Sequence, residues 1–291
     1  MRILILGGDG MLGHQLLQSL GARHEVKVTL RQALPSYARY RLFDQNNTFD
    51  EFDAGHGERL WSILAEYRPQ VVINAIGIVK QRDTAKELIP SLEINSLLPH
   101  KLALISRATG ARLVHISTDC VFSGRHGGYT EQDIADAEDI YGRTKYLGEV
   151  HDDHAITLRT SIIGLELKGK KSLIEWFLDQ KGKVPGFRKA IYSGLTTQEL
   201  ARVIERLIVQ FPELSGLWHV ASEPISKYDL LKKYNTQLGR KDVELVPDDE
   251  FECDRSLSAR AFESKTGYRA PAWDEMLTEL AVCTKLRDAS Q

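Results

Sequence analysis

The feature that most restricts the possible folds of this chain is a glycine-rich segment at the junction of an apolar stretch and an amphipathic one. Residues 2–7 are typical of a buried strand, and residues 11–20 of a helix. Every third position of the junction is glycine: Gly7, Gly10 and Gly13. Glycine permits a tight turn and lets the backbone approach a pyrophosphate, which then faces the positive end of the helix. A plain strand-to-helix turn is the alternative, but the β-α-β context favours a dinucleotide site that also includes Met11 and Leu12.

Short apolar strands alternate with amphipathic helices over the first half of the chain. This alternation predicts an α/β fold, a Rossmann-type doubly wound parallel sheet over residues 1–161, with its third strand at Tyr40–Phe43. A long helix is predicted at Leu92–Ala108, with Leu97 on its core face. The pattern is looser afterwards, and glycine and proline interrupt it. We therefore expect residues 162–291 to form mainly a smaller C-terminal lobe, from which some segments return to the first domain.

The composition and charge of the 291-residue chain are those of an ordinary globular protein. Hydrophobic residues make up 42% and charged residues 27%, and the formal net charge of −2 argues against a nucleic-acid partner. Three cysteines without a CxxC pair argue against a disulfide framework and a zinc site, and they favour a reducing compartment. The N-terminal apolar run ends at Gly7 and is too short for a signal peptide or a membrane span. We expect a cytoplasmic protein with no membrane association and no metal.

A tyrosine and a lysine occur four residues apart in a predicted helix. Tyr141 and Lys145 therefore project from one face, and Thr118 precedes them at the end of a predicted buried strand, Leu113–Ser117. A nearby ammonium favours the phenolate and lowers the pKa of a tyrosine. A solvated helix face is the usual reason for this spacing, but its combination with Thr118 and the glycine loop predicts a proton-transfer site.

The end of the second predicted strand bears on the choice of dinucleotide. An acidic residue after this strand would bind the ribose 2′-hydroxyl of NAD, but the chain continues Thr29-Leu30-Arg31 without a carboxylate. Arg31 can pair with a 2′-phosphate, unless it is an ordinary surface charge. We therefore predict NADPH as the cofactor, with NADH as the alternative.

Four further residues are candidates for the cofactor site. Asp44, after the third predicted strand, can accept a hydrogen bond from the adenine amino group. Ala75 and Gly77 follow the fourth strand and are small enough for a cofactor to lie against the backbone. Asn95 lies in a predicted helix, although asparagine is a poor helix former. It either holds a water near Lys145 or bonds to the backbone.

The ordered set of motifs resembles the extended short-chain dehydrogenase/reductase family. Within that family, the chain looks most similar to dTDP-4-dehydrorhamnose reductases and related nucleotide-sugar reductases. The matching segments are the glycine loop, residues 117–124, 141–145 and 158–161, and, in the second half, residues 216–222 and 226–229. The resemblance covers nearly the whole chain, and it is much less specific for the substrate than for the family.

This resemblance implies hydride transfer between the nicotinamide and C4 of a 4-keto-6-deoxy sugar on a nucleoside diphosphate, for deoxysugar or surface-polysaccharide biosynthesis. It implies that Tyr141 protonates the developing alkoxide, that Lys145 binds the nicotinamide ribose, and that Thr118 donates a hydrogen bond to the carbonyl oxygen. Thr160 would lie near the nicotinamide amide.

The resemblance also implies that the C-terminal lobe binds the nucleoside-diphosphate sugar. Arg255 resembles an arginine that can contact the diphosphate. Trp176 can stack on a base or sugar, although lone aromatic residues usually belong to the core. Lys80 follows a cofactor-side strand and can approach the sugar, with a solvated loop as the equal alternative. A homodimer is a possible assembly.

Cys120, two residues after Thr118, departs from the family pattern. The reductases usually have tyrosine here, and the 4,6-dehydratases have glutamate, so dehydration is not expected. The cysteine resembles the catalytic cysteine of GDP-fucose synthase, which also needs a histidine that residues 162–183 lack. Cys120 is either an acid/base of an epimerase or epimerase-reductase, or a small residue beside the substrate. A third alternative for the chain is a catalytically silent subunit that senses a dinucleotide.

Overall fold

A computed structural model describes residues 1–55, 57–78, 87–169 and 171–289. The strands are β1 (Arg2–Leu6), β2 (Glu25–Thr29), β3 (Thr48–Phe49), β4 (Val71–Asn74), β5 (Arg112–Ile116), β6 (Ala155–Arg159), β7 (Ile162–Ile163), β8 (Gly182–Phe187), β9 (Ala190–Tyr192), β10 (Leu195–Thr196), β11 (Gly216–His219), β12 (Ile225–Ser226), β13 (Val243–Asp248) and β14 (Cys253–Asp254). The α-helices are α1 (Met11–Leu20), α2 (Gly57–Tyr67), α3 (Leu88–Ser91), α4 (Leu98–Thr109), α5 (Ile140–Leu147), α6 (Leu173–Leu178), α7 (Thr197–Gln210), α8 (Lys227–Leu238), α9 (Arg260–Thr266) and α10 (Trp273–Ala289).

Within the described ranges, seven strands form one parallel sheet in the order β3-β2-β1-β4-β5-β6-β11. The order reverses at β1, which lies between β2 and β4, and this confirms the predicted doubly wound arrangement. Because the strands are parallel, their carboxyl ends lie at one edge of the sheet. Ligands of such folds bind at this edge, where the strand order reverses.

Both faces of the sheet are buried, and the side chains of β1 show how. Ile3 and Ile5 belong to a core cluster shared with α1 and α7, whereas Leu4 and Leu6 belong to a second cluster shared with α2 and α4. All four side chains are fully buried. Since successive side chains of a strand point to opposite faces, four apolar residues in a row require helices on both sides.

The second half of the chain contributes to both parts of the molecule. β11 pairs with β6, with Gly216 opposite Ile156, so this segment returns to the main sheet. α7 returns as well and packs against α1. The remaining strands form small sheets, including β12-β9-β14 and β13-β8, and α8 packs against α10 beside them. In the part of the chain that the structure describes, no helix has the length and apolar character needed to cross a membrane.

The prediction of a third strand at Tyr40–Phe43 is wrong. A 3₁₀-helix occupies Leu34–Tyr40 instead, with Pro35 in its first turn, and Arg41 then turns the chain with a φ of 52°. The third strand begins only at Thr48. Tyr40 belongs to this helix, and the left-handed conformation of Arg41 is incompatible with an extended strand, so local turn geometry decided this segment.

The placement of Leu97 on the core face is also wrong. Leu97 is 51% exposed, although Leu98, Leu102 and Ile105 are buried as predicted. The preceding residues, Leu92–Leu97, form a π-helix. The wider turn of a π-helix shifts the following side chains around the axis, so a regular helical period assigned Leu97 to the wrong face.

Gly13→Ala is expected to destabilise the fold. A Cβ at this position would lie 2.0 Å from the carbonyl oxygen of Gly7 and 2.9 Å from Cα of Gly8, and both contacts are with backbone. Overpacking of this kind costs about 1–3 kcal/mol. Urea denaturation should show a loss of this size in the free energy of unfolding.

Gly57→Ala is the matched control, because nothing lies within 4 Å of a Cβ at the start of α2. This change should be neutral or stabilise the protein by up to about 1 kcal/mol. Equal stability of the two variants would contradict the close packing of the glycine loop.

Candidate active site

Several of the predicted site segments lie together at the carboxyl edge of the sheet. The glycine loop follows β1, Ala75 follows β4, Thr118 follows β5 and Thr160 follows β6. Backbone bonds tie these segments to each other: the N–H of Ala75 donates to the carbonyl of Leu6 (3.1 Å), and that of Asp119 donates to the carbonyl of Thr160 (3.2 Å). Motifs that are distant in sequence therefore meet where the strand order reverses.

The glycine loop forms a backbone cradle that fits a pyrophosphate. Gly7 has a φ of 87°, and a Cβ there would lie 3.0 Å from Cγ1 of Ile76. Gly10 is the N-cap of α1 and has no side chain to cap the helix. The amides of Met11 and Leu12 therefore lack the side-chain partner that most N-caps supply, and such amides bind anions. A dinucleotide would bind here through the backbone.

Thr118 and Tyr141 come from different elements, and their hydroxyl groups lie close enough for Thr118 to lower the pKa of Tyr141. Oγ1 of Thr118 accepts a hydrogen bond from the N–H of Cys120 (3.1 Å) and donates one to Oδ1 of Asp119 (3.1 Å). Tyr141 lies in the first turn of α5, and its side chain is only partly exposed. The hydroxyls that the sequence predicted to act together are thus adjacent, and Asp119 orients one of them.

The pKa of Tyr141 is raised above the ordinary value of a tyrosine. Partial burial is the main cause and the neighbouring Cys120 adds to it, while the hydroxyl of Thr118 opposes the rise. The net change is therefore opposite in direction to the effect predicted for Lys145, and that effect stays a prediction. The ammonium of Lys145 is buried and donates to the carbonyl of Ile116 at 2.7 Å. Tyr141 is therefore a neutral phenol near pH 7, which suits a proton donor.

A buried carboxylate accompanies Lys145. Burial lowers the pKa of Lys145 to about 8, and the charge of Glu149 opposes this change. Glu149 forms a bidentate ion pair with Arg159, with N···O distances of 2.8 and 2.7 Å, and its Oε1 also accepts from Oγ of Ser117 at 2.7 Å. The end of α5 is thereby attached to β5 and β6. Glu149 was not among the predicted site residues, although it continues the four-residue spacing of Tyr141 and Lys145.

Cys120 and Arg255, two residues that were predicted to contact the substrate, are adjacent. Nη1 of Arg255 lies 3.8 Å from Sγ of Cys120, and Nε of Arg255 donates to the carbonyl of Phe122 at 2.8 Å. Burial, followed by the charge of Asp119, raises the pKa of Cys120 to about 12. The thiol of Cys120 is therefore protonated at neutral pH. The charge of Arg255 lowers its pKa, but by less than burial raises it.

Arg31 and Asp44 are both exposed. Arg31 lies just beyond the end of β2, as predicted. Asp44 does not follow the third strand; it precedes β3, where its Oδ1 accepts hydrogen bonds from the N–H groups of Asn46 (2.7 Å) and Asn47 (3.0 Å). The carboxylate of Asp44 stabilises a turn, and its proposed bond to adenine stays a prediction.

Asn95 bonds to the backbone, one of the two roles that the sequence left open. Its Oδ1 accepts from the N–H of Ile78 (2.9 Å), and its Nδ2 donates to the carbonyl of Ile78 (3.1 Å) and to Oγ1 of Thr144 (3.3 Å). Asn95 therefore fixes the segment after β4 against α5. Gly77 is beside it, since a Cβ there would lie 3.5 Å from Oδ1 of Asn95.

Trp176 and Lys80 are the remaining substrate candidates. Trp176 is exposed on α6, and its role stays a prediction. Lys80 lies outside the described residues. An open groove of about 680 Å³ in the C-terminal lobe includes Asp254, the neighbour of Arg255, but not Thr118 or Tyr141. Among the described residues, no three His, Cys, Asp or Glu side chains are grouped so that they could hold a metal ion.

Comparison with known proteins gives a consistent set of relatives. Residues 1–283 match the family model described as the RmlD substrate binding domain. The spore coat polysaccharide biosynthesis protein SpsK of Bacillus subtilis (strain 168) is 28% identical over 295 residues, which are 96% of each chain. A dTDP-4-dehydrorhamnose reductase of Aggregatibacter actinomycetemcomitans is 27% identical over 264 residues, covering 84% of this chain and 82% of that one. The crystal structure of dTDP-4-dehydrorhamnose reductase from Bacillus anthracis str. Ames in complex with NADP superposes with a TM-score of 0.79 at 26% identity, covering 97% of this chain and 99% of that one.

Glu149→Gln is expected to lower the pKa of Lys145 below its value of about 8, because the carboxylate that favours the ammonium is lost. NMR titration of the lysine side chains measures this shift. The same change leaves the buried guanidinium of Arg159 without its counter-charge, which costs about 3–5 kcal/mol of unfolding free energy.

Glu138→Gln removes an exposed ion pair with Arg125 and is the control. It should change the stability by less than about 1 kcal/mol and leave the Lys145 titration unaltered. An unshifted Lys145 in folded Glu149→Gln protein would contradict the electrostatic role of Glu149.

Proposed function

Because the chain belongs to the RmlD substrate binding domain family, we propose that it reduces the C4 keto group of a nucleoside-diphosphate 4-keto-6-deoxy sugar with NADPH. The observation that carries this proposal is that the hydroxyl groups of Thr118 and Tyr141 lie close together at the sheet edge that also carries the glycine loop. The relatives support the reaction class: two are dTDP-4-dehydrorhamnose reductases, and one of these binds NADP. SpsK, a spore coat polysaccharide biosynthesis protein, supports a role in deoxysugar or surface-polysaccharide assembly.

The proposed reaction adds a hydride and a proton to a carbonyl group. When bound at the glycine loop, the reduced nicotinamide would supply the hydride for C4. Tyr141, kept neutral by its raised pKa, donates its phenolic proton to the oxygen that gains the electron pair, and the product is an alcohol. The hydroxyl of Thr118, which lies close to that of Tyr141, would orient the same oxygen. Lys145 contributes a fixed positive charge and a donor for the cofactor ribose.

Arg255 places one positive charge on the substrate side of the site. Arg255 follows β14, a strand of the C-terminal lobe. Its guanidinium lies next to Cys120, two residues from Thr118 in the sequence. We assign it to the diphosphate, because a guanidinium forms charge-assisted bonds with phosphate oxygens. Arg31 at the end of β2 supports the choice of NADPH over NADH. The three free cysteines fit the proposed cytoplasmic location.

The epimerase-reductase alternative requires a second acid/base pair. Cys120 is the one candidate for it that the sequence offered, and its pKa of about 12 makes the thiolate scarce at neutral pH. The matching segment 162–183 contains no histidine. We therefore assign Cys120 to the wall of the substrate site rather than to proton transfer.

Tyr141→Phe should abolish turnover of a panel of nucleoside-diphosphate 4-keto sugars while NADPH still binds. Removing the phenolic proton removes the general acid, a loss of about 10²–10⁴-fold in rate. NADPH oxidation followed at its absorption band measures turnover, and fluorescence titration measures binding.

Tyr146→Phe is the matched control, since Tyr146 is an exposed tyrosine on the same helix. Its activity should equal that of the unmodified protein. Full activity of Tyr141→Phe would refute the mechanism. No turnover of any substrate by the unmodified protein, with dinucleotide still bound, would favour the silent regulatory subunit.

Cys120→Ala should retain kcat/KM within about threefold, a change of less than about 1 kcal/mol in transition-state stabilisation. The reason is that the protonated thiol takes no part in the reduction. In deuterated water, mass spectrometry of the product should show no deuterium bound to carbon at C3 or C5. Deuterium at either carbon, lost in the Cys120→Ala variant, would instead identify an epimerase-reductase.

A further inference from the structure

No carboxylate follows the second strand directly in the sequence, but the glycine loop contains one, that of Asp9. Asp9 lies between Gly8 and Gly10, and the N–H of Gly8 donates to the carbonyl of Thr29, the last residue of β2, at 2.9 Å. The hydroxyl of Tyr37 donates to Oδ2 of Asp9 at 2.8 Å and accepts from the N–H of Gln32 at 3.2 Å. The carboxylate of Asp9 is therefore fixed beside the segment that follows β2.

A lysine from the second half of the chain is paired with this carboxylate. Lys168, in the segment after β7, places its Nζ 2.5 Å from Oδ2 of Asp9. The same Nζ donates to the hydroxyl of Tyr37 at 3.4 Å and lies 5.0 Å from the centre of its ring. Partial burial alone would lower the pKa of Lys168, but the bonds to Asp9 outweigh it, and the net change is upward. The pair is thus an ammonium and a carboxylate.

The frame around the pair is rigid, while the lysine remains accessible. Tyr37 is 1% exposed and packs against the rings of Tyr40 and Phe43, with centroids 6.5 and 5.6 Å away. The side chain of Asp9 is 15% exposed, whereas that of Lys168 is 37% exposed. The carboxylate of Asp9 cannot turn away without breaking its bond to Tyr37. Its negative charge therefore stays at this place, where Lys168 neutralises it.

Charge at the end of β2 decides between the two nicotinamide dinucleotides. A carboxylate there binds the 2′-hydroxyl of NAD, and a cation accommodates the 2′-phosphate of NADP. Arg31 and Asp9 have opposite charges, so the residues of the first domain alone give no clear preference. The ammonium of Lys168 changes this balance, because it neutralises the carboxylate of Asp9 that would otherwise oppose the charge of Arg31.

We propose that Lys168 is a specificity-determining residue for the cofactor: by pairing with Asp9, it permits the 2′-phosphate of NADP(H) to bind beside Arg31. Without this pairing, Asp9 repels the 2′-phosphate and selects the 2′-hydroxyl of NAD(H). This inference rests on the proposed function in one respect, that a dinucleotide binds at the glycine loop. It adds a residue of the second half of the chain to the adenosine side of that site.

Calorimetric titration of the full chain with NADPH, NADH, 2′,5′-ADP and 5′-AMP tests the proposal without any need for turnover. Lys168→Met should weaken NADPH and 2′,5′-ADP by about tenfold or more, and should change the Kd of NADH and 5′-AMP by less than about threefold. Asp9→Asn should leave NADPH binding as tight as before or tighter. The double variant, in which both charges are gone, should recover the NADPH affinity that Lys168→Met loses.

Lys189→Met controls for the loss of one positive charge, because Lys189 forms an exposed pair with Glu252 in the C-terminal lobe. It should alter none of the four affinities. Equal weakening of NADPH and NADH by Lys168→Met would overturn the proposal and identify a purely structural ion pair. A loss that persists in the double variant would overturn it as well. Failure of the unmodified protein to bind either dinucleotide would instead refute the proposed function.

Discussion

The buried ion pair of Glu149 and Arg159 is the interaction on which the arrangement of the site depends. It connects the segment after α5 with β6, and Ser117 attaches the end of β5 to the same carboxylate. Nη1 of Arg159 also contacts Nε2 of His219 on β11, at 3.3 Å. Burial, followed by the charge of Arg159, lowers the pKa of His219 to about 3, so the ring is neutral and can accept this bond. Two charges are stable in the core because each carboxylate oxygen of Glu149 and each guanidinium nitrogen of Arg159 has a polar partner.

The same low-polarity surroundings decide which groups carry protons. Burial raises the pKa of Tyr141 and that of Cys120, so both are neutral donors, and it lowers the pKa of Lys145, where Glu149 limits the effect. A protonated phenol beside a protonated thiol suits delivery of one proton to a carbonyl oxygen. It does not suit the removal of a proton from carbon, for which a base would be needed.

The charges that we propose to select the ligands come from segments outside the main sheet. Arg255 approaches the site from the C-terminal lobe next to Cys120, and Lys168 approaches the glycine loop from the segment after β7. The sheet holds Thr118 and the glycine loop at its carboxyl edge, while these connections add the two charges. Such a division is usual for doubly wound folds, where a rigid scaffold positions variable loops.

The sequence by itself determined the features that have a local signal. The strand-helix alternation, the glycine spacing and the four-residue interval between Tyr141 and Lys145 are periodicities along the chain, and the fold they predicted is the one observed. Only the tertiary structure decided that β3 begins at Thr48, that Glu149 pairs with Arg159, and that Lys168 neutralises Asp9. The first depends on turn geometry over a strand of two residues, and the other two join residues 10 and 159 positions apart. Local patterns carry no information about which distant charges a fold brings within 3 Å of each other, because the packing of the whole chain sets those distances.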